Sequence, residues 1–283
     1  MSASIAEDLR IDRLYGVEGK VAVVTGGGSG IGTMIASAFV QNGAKVYIAA
    51  RKEKQLQEVC SALNEKGPGS CHYFIADLTT KAGCDSLVAA IKERESKIHI
   101  LVNNSGISWG APYDSFPEKE GWDRLMALNV KSVFYMTVGL TDLLAKGSTN
   151  VDPGRVINVS SVASLIATST ETSLAAKGSG LWSYATSKAA VNHLTSQLAV
   201  TLLPKRITVN AILPGTFPSK MTAYGFKTKG DSLDSNNPMG RVGHPRDIAG
   251  IVLFLASPAS AYITGAHITV DGGSVVSRQK AAL

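Results

Sequence analysis

The chain has 283 residues, of which 45% are hydrophobic and 18% charged, with a net charge of +6; this suits a globular protein of one large α/β domain or two small ones. Its Lys and Arg residues are scattered, with no run of five, which argues against a nucleic-acid tail and suits an anionic cofactor or substrate. No apolar run reaches membrane-spanning length, Met1 to Lys20 lacks the apolar core of a signal peptide, and Ala281-Ala282-Leu283 is not a peroxisomal signal. Cys60, Cys71 and Cys84 lack metal-ligand spacing and read as free thiols of a reducing compartment. A cytoplasmic protein with no membrane or nucleic-acid partner is the expectation.

In chain order, residues 1–18 read as a flexible arm. Lys20 to Val24 is a β-branched strand, and a glycine-rich turn, Thr25 to Gly32, leads into helical periodicity over Ile31 to Asn42, with Gly43 as a C-cap. Lys45 to Ala50 closes a βαβ unit. Alternation continues with a helix over Gln55 to Lys66, a strand over His72 to Ala76, a helix over Ala82 to Glu95 and a buried strand over Ile98 to Val102. Trp122 to Leu144 reads as one long helix, Arg155 to Ser160 as a strand, Ser183 to Leu202 as a helix and Ile207 to Leu213 as a strand. Asp247 to Leu255 is the last predicted helix and His267 to Val270 the last strand.

Such alternation predicts a seven-stranded parallel sheet with helices on both faces. One domain spans 19–275, and 276–283 is a tail. Two polar stretches, 163–180 and 216–239, follow or lie near strand ends, where ligands bind in such sheets. They read as mobile borders of a site, the second as a lid.

Three patterns carry chemistry. Gly26-x-x-x-Gly30-x-Gly32 sits between a strand and a helix; glycines permit a tight turn and close backbone approach, and the helix N-terminus attracts a pyrophosphate. The second strand ends in Arg51-Lys52 with no acid, which favours the 2′-phosphate of NADP(H) over the free ribose of NAD. Asp77 either caps the next helix or contacts adenine. Tyr184 and Lys188 stand four residues apart, so a helix presents both on one face, and a nearby ammonium lowers a phenol's pKa toward the working range.

Taken together these residues resemble the short-chain dehydrogenase/reductase family over about residues 18–275. Thr25-Gly26-Gly27-Gly28-Ser29-Gly30-Ile31-Gly32 matches its coenzyme motif, and Asn103-Asn104-Ser105-Gly106 is similar to its Asn-Asn-Ala-Gly, with Ser105 replacing Ala. Leu128-Asn129-Val130, Val159-Ser160-Ser161, Tyr184-x-x-x-Lys188, Pro214-Gly215 and Asp271-Gly272-Gly273 follow in family order.

The resemblance implies a single Rossmann-type doubly wound domain, an NADP(H) coenzyme and no metal. It implies coenzyme contacts at Gly26, Gly28, Ser29, Gly30, Ile31, Arg51, Lys52, Asp77, Leu78, Asn104, Ser105, Gly106, Tyr184, Lys188, Pro214, Gly215 and Thr216. It gives Tyr184 proton transfer to a carbonyl oxygen, Lys188 tuning of that phenol, Ser161 a hydrogen bond to the same oxygen, and Asn129 a proton relay. Ser160 and Asn103 are expected to be structural.

The implied reaction is reduction of a ketone or a 3-oxoacyl thioester, with a homodimer or homotetramer as the assembly. An NAD-dependent alcohol dehydrogenase and a non-catalytic dinucleotide-sensing scaffold are the alternatives. The 23 residues from Ser161 to Tyr184, against about a dozen in many family members, obscure the substrate.

Overall fold

The computed structural model describes residues 8–167, 170, 175–230, 232–235 and 237–281. Its centre is a parallel sheet of β1 (Val21–Thr25), β2 (Lys45–Ala50), β3 (Ser70–Ile75), β4 (Ile100–Asn103), β5 (Gly154–Val159), β6 (Ile207–Pro214) and β7 (His267–Val270), in the order β3-β2-β1-β4-β5-β6-β7. Every ladder is parallel. The strand order reverses between β1 and β4, which opens a crevice at their C-terminal ends.

Helices α1 (Ile11–Leu14), α2 (Gly30–Gln41), α3 (Glu53–Asn64) and α4 (Lys81–Arg94) precede β4 or lie between the first strands. The stretch expected as one long helix after β4 is a continuous but uneven path. A π-helical Glu118–Asp123 leads into α5 (Arg124–Met126), a second π segment at Ala127–Lys131, and then α6 (Ser132–Ala145). A π turn admits an extra residue into a helical turn without breaking the helix, so apolar periodicity alone does not reveal it. Then come α7 (Trp182–Leu202), α8 (Ala223–Lys229), α9 (Ser232–Ser235), α10 (Pro245–Ala256) and α11 (Ser274–Ala281).

Two apolar layers follow from this arrangement. One, around Ile35, Phe39, Ile48 and Val252, lies under α2, α3 and α10. The other, around Ile91, Leu101, Met136 and Leu198, lies under α4, α6 and α7. The inner strands β1, β4, β5 and β6 are buried at every residue. The outer strand β7 alternates between exposed and half-buried, so burial on both faces does not extend to it.

Part of the stretch expected as an arm is packed. Tyr15 stacks at a tilt on Phe254, with ring centroids 6.2 Å apart, and Val17 is fully buried in the first core layer; residues 1–7 lie outside the described residues. The expected tail carries α11. The expected lid holds α8 and α9. Of the other polar border, 168, 169 and 171–174 lie outside the described residues. Ala111 and Gly180 pair as an isolated antiparallel bridge that anchors its far end.

Buried polar bonds brace the sheet below the site. Asn103 Nδ2 donates to Asn158 Oδ1 (2.9 Å) and Thr137 Oγ1 (3.2 Å), and Asn158 Nδ2 donates to Thr195 Oγ1 (2.9 Å). This chain ties β4 and β5 to α6 and α7 where no water reaches. Replacing Asn158 with Ala strips two buried groups of a partner, which costs roughly 2–4 kcal/mol. The expected outcome is a fall in melting temperature of roughly 5–10 °C, read by differential scanning fluorimetry; a fall of about 1 °C or less would show the chain to be slack.

Candidate active site

The glycine turn after β1 is built by its glycines. Gly26 and Gly30 have φ of 68° and 56°, in the left-handed region where a side chain is strained. A Cβ on Gly32 would stand 2.3 Å from the Gly26 carbonyl oxygen, so only glycine lets α2 begin this close to the turn. Ser29 is the N-cap residue of α2, yet its side chain caps nothing. The first N–H groups of the helix therefore face the crevice without a side-chain cap, the arrangement that suits a phosphate. Ile31 packs its side chain on the core and offers only backbone to the turn.

β4 closes the other wall. The Thr25 hydroxyl accepts from the Asn104 and Ser105 amides, both at 3.0 Å, and Asn104 Nδ2 donates to the Thr25 and Gly26 carbonyls at 2.9 and 3.2 Å. Asn104 thus holds the turn, and Ser105-Gly106 carries the chain into the crevice.

At the far end of the turn, Arg51 and Lys52 are exposed beyond β2. Asp77 leaves β3 in an Asx-type turn, accepting from Thr79 N at 3.0 Å and Thr79 Oγ1 at 2.8 Å. Burial works to raise its pKa but is outweighed by these bonds and by the Arg51 charge, so the carboxyl lies below its usual range. The N-cap of α4 is Thr80 and not Asp77, since the Thr80 hydroxyl accepts from Gly83 N at 3.0 Å. Leu78 is in the core at 4% exposure, leaving only its backbone near the crevice. Pro214 ends β6, Gly215 N donates to Val270 O (3.0 Å), and the Thr216 carbonyl accepts from Gly243 N (2.9 Å).

The four candidate catalytic residues converge at the ends of β4 and β5. Asn129 lies in the second π segment and is 1% exposed. Its amide clamps Ile107 at both ends, with Ile107 N donating to Oδ1 and Nδ2 donating to Ile107 O, each at 2.9 Å, and Nδ2 also donates to Ser187 Oγ at 3.0 Å. Ser161 caps the short 3-10 turn Val162–Ser164, accepting from Ala163 N at 3.1 Å. Ser160 Oγ donates to the Lys188 carbonyl at 3.0 Å and so pins α7, as a structural neighbour should.

Lys188 is buried, and its ammonium donates to Val159 O at 2.8 Å. It sits 5.7 Å from the centroid of the Tyr184 ring. A Cβ on Gly106 would lie 3.4 Å from Asn129 Oδ1 and 3.5 Å from Lys188 Nζ, so Gly106 lies against both side chains.

Electrostatics correct the expected tuning. The Tyr184 phenol is raised above its ordinary value: burial dominates, and the Ser161 hydrogen bond pulls only partly the other way. The Lys188 ammonium is the cation beside it. It lies at the ring, and burial lowers its own pKa to about 8. Desolvation thus outweighs the cation–phenol attraction inferred from spacing. At neutral pH the phenol carries its proton.

Several contributors were not legible as site residues. Thr25 and Ser187 hold the Asn104 and Asn129 amides, and Ser219 of the segment expected as a lid lies against the turn, with its Cβ 3.0 Å from where a Gly30 Cβ would be. Around Tyr184, Leu125 and Leu181 are buried, and Ile107, Met126, Ala163, Ala175 and Met221 pack against them. Two hollows border this centre, one lined in part by Met126 and the other by Thr216. One, of about 730 Å³, runs past Lys119, Arg124 and Lys131, and one of about 340 Å³ lies by Thr216, Asn237 and Asp271.

A doubly wound sheet with an open glycine turn at its crevice defines a dinucleotide-fold protein. The family model described as enoyl-(acyl carrier protein) reductase matches residues 26–275, and the chain belongs to the short-chain dehydrogenase/reductase family of oxidoreductases. It is 39% identical to the rhamnolipids biosynthesis 3-oxoacyl-[acyl-carrier-protein] reductase of Pseudomonas aeruginosa, over 92% of this chain and 97% of that protein. It is 33% identical to an NAD-dependent glycerol dehydrogenase of Listeria innocua, over 94% and 97%. Among solved structures, the Pseudomonas aeruginosa RhlG/NADP active-site complex superposes with a TM-score of 0.82 at 38% identity, covering 93% of this chain and 98% of that one.

The Lys188 shift has a measurable sign. An unfolded lysine titrates near 10.5 and the folded one near 8. Between these values the unfolded chain binds the extra proton, so the burial cost is present in full below pH 8 and fades as pH approaches 10.5. Lys188→Met is expected to melt higher than wild type at pH 7, with the gap closing by pH 10.5. Melting curves across that range check it; a gap that widens with pH would contradict the shift.

Proposed function

We propose that the protein is an NADP(H)-dependent reductase that converts a ketone to a secondary alcohol, with Tyr184 as the proton donor. The observation that carries this reading is a buried phenol, its pKa raised by burial, beside a buried lysine, in a sheet whose first glycine turn leads into an uncapped helix. Reduction needs a proton for the carbonyl oxygen, and a phenol whose pKa is raised holds one throughout the neutral range.

A bound nicotinamide coenzyme supplies the hydride. Tyr184 Oη gives its proton to the substrate oxygen, and Ser161 Oγ donates a hydrogen bond to that oxygen as charge builds on it. Lys188 places a cation beside the phenolate left behind, which is then easier to form. Asn129 holds the Ile107 backbone and Ser187, and so positions the groups through which Tyr184 would regain a proton. Gly26, Gly28, Ser29, Gly30 and Ile31 would hold the pyrophosphate by backbone, and Asp77, Leu78, Asn104 to Gly106 and Pro214 to Thr216 would hold the rest of the coenzyme along the crevice.

Arg51 and Lys52 support the choice of NADP(H), since two exposed cations follow β2 directly and the first acid, Glu53, comes only after them. The apolar lining from Ile107, Met126, Leu181 and Met221 supports an apolar or acyl substrate over a sugar or polyol. Exposed Phe134 and Val138 on α6 and Val200 on α7 support a dimer or tetramer built on those faces.

In an NADPH-oxidation screen over aliphatic, aryl and cyclic ketones, 3-oxoacyl thioesters and enoyl thioesters, turnover is expected with ketone or 3-oxoacyl substrates. Tyr184→Phe is expected to lower kcat/KM by roughly 10²–10⁴-fold with little change in NADPH Kd. Loss of coenzyme binding along with activity would make Tyr184 structural, and a wild type inert to the whole panel would favour a dinucleotide-sensing scaffold.

Arg51→Asp is expected to weaken NADPH roughly tenfold or more, the loss of one charge-assisted bond, while sparing NADH. Titration of both coenzymes by fluorescence checks this. A wild type that binds NADH more tightly than NADPH would overturn the coenzyme assignment and favour an NAD-dependent alcohol dehydrogenase.

A further inference from the structure

Cys60 and Cys71 take no part in the site above, and the fold brings them together. On α3 the buried face runs Leu56, Cys60, Leu63, the i, i+4, i+7 stripe of a helix packed on a sheet. Cys71 is the second residue of β3, and its side chain enters the same core layer. The two Sγ atoms are 3.1 Å apart, only about 1 Å beyond a covalent S–S bond of about 2.05 Å.

The surrounding backbone already holds this pairing. Asn64, at the end of α3, accepts from Cys71 N at 2.6 Å and donates to Cys71 O at 3.1 Å. The loop between the two elements is pressed against the end of α2. A Cβ on Gly67 would stand 2.5 Å from Val40 O, and one on Gly69 would stand 2.3 Å from Ala44 O. Helix and strand therefore need little movement to bond.

β3 is also an edge strand, the part of a sheet that opens most easily to a small solute. The two thiols are unequal: the hydrogen bond from Cys71 lowers the Cys60 pKa, and the same bond with burial raises that of Cys71. Cys60 is also the less buried of the two, at 7% exposure against 3%, and is the attacking sulfur on both counts. Cys84 provides an internal contrast. It is fully buried in the other core layer, burial raises its pKa to about 11, and its Sγ faces the Leu78 carbonyl at 3.8 Å.

We infer that Cys60 and Cys71 are a modification site, a dithiol that closes to a reversible intramolecular disulfide under a mild two-electron oxidant such as hydrogen peroxide. The Cys60 thiolate takes one oxygen from peroxide to give a sulfenic acid, releasing water once a proton is supplied. The Cys71 sulfur then displaces that oxygen as a second water, so two thiols and one peroxide give one disulfide and two waters. A dithiol reductant reverses the reaction. The bond links α3 to β3, the elements that start just after Arg51-Lys52 and end just before Asp77.

The test uses the full chain treated with stoichiometric hydrogen peroxide, then denatured, alkylated and weighed intact. The expected result is loss of two hydrogens, a single alkylated thiol at Cys84, and a peptide joining α3 to β3; dithiothreitol restores all three thiols. Cys84→Ser should behave in the same way, and Cys60→Ser and Cys71→Ser should not lose the hydrogens. Three free thiols where free glutathione is oxidised, an oxygen adduct retained on Cys60, or a disulfide between chains would overturn the inference. The wild-type measurement decides the matter even if a serine variant fails to fold.

Discussion

The bond from Lys188 Nζ to the Val159 carbonyl, 2.8 Å long and buried, is the constraint on which the site depends. It fastens α7 to the C-terminal end of β5 at the depth where Tyr184 sits. Ser160 and Asn129 repeat the fastening from either side, through the Lys188 carbonyl and the Ser187 hydroxyl. A lysine in such a place costs stability, as its lowered pKa of about 8 records. A methionine of similar length would pack there without that cost. Keeping an ammonium there is intelligible if its charge is needed when the phenol beside it gives up a proton.

Much of the fold was legible because it is periodic. Val21–Val24 is a continuous apolar run, Ile207–Leu213 is apolar but for Thr208 and Asn210, and the positive-φ Gly26 and Gly30 punctuate the first βα turn. Tyr184 and Lys188 could be placed together because i and i+4 share a face, and α7 keeps that register. What was not legible depends on three dimensions. The π segments around α5 move Asn129 in a way that no apolar stripe reports. Thr25, Ser187 and Asn158 act through partners 37 to 80 residues away, and nothing in their local sequence marks them. The pKa of Tyr184 was misjudged because spacing reveals the charge four residues away but not the burial of the phenol itself.

The proposed coenzyme and substrate preferences draw on opposite ends of the crevice. At the outer end, Arg51 and Lys52 meet solvent, and Arg51 is close enough to Asp77 to depress its carboxyl. The inner end is apolar, with Ile107 held in place by Asn129 and Ala175 brought in by the stretch bridged at Gly180. On the proposed reading, these cations would hold the coenzyme's phosphates far from the reaction, and the reacting carbonyl would meet an apolar wall beside the Tyr184 phenol. No helix among the described residues is long and apolar enough to cross a membrane.

The protonation state of Tyr184 separates this mechanism from its reverse most directly, and kcat/KM for ketone reduction at saturating NADPH, followed from acid to alkaline pH, reports it. A proton-loaded phenol gives a plateau through neutrality, with decline only on the alkaline side, starting near pH 8 as Lys188 loses its charge. A rate that climbs with pH through neutrality, as a phenolate base requires, would contradict it.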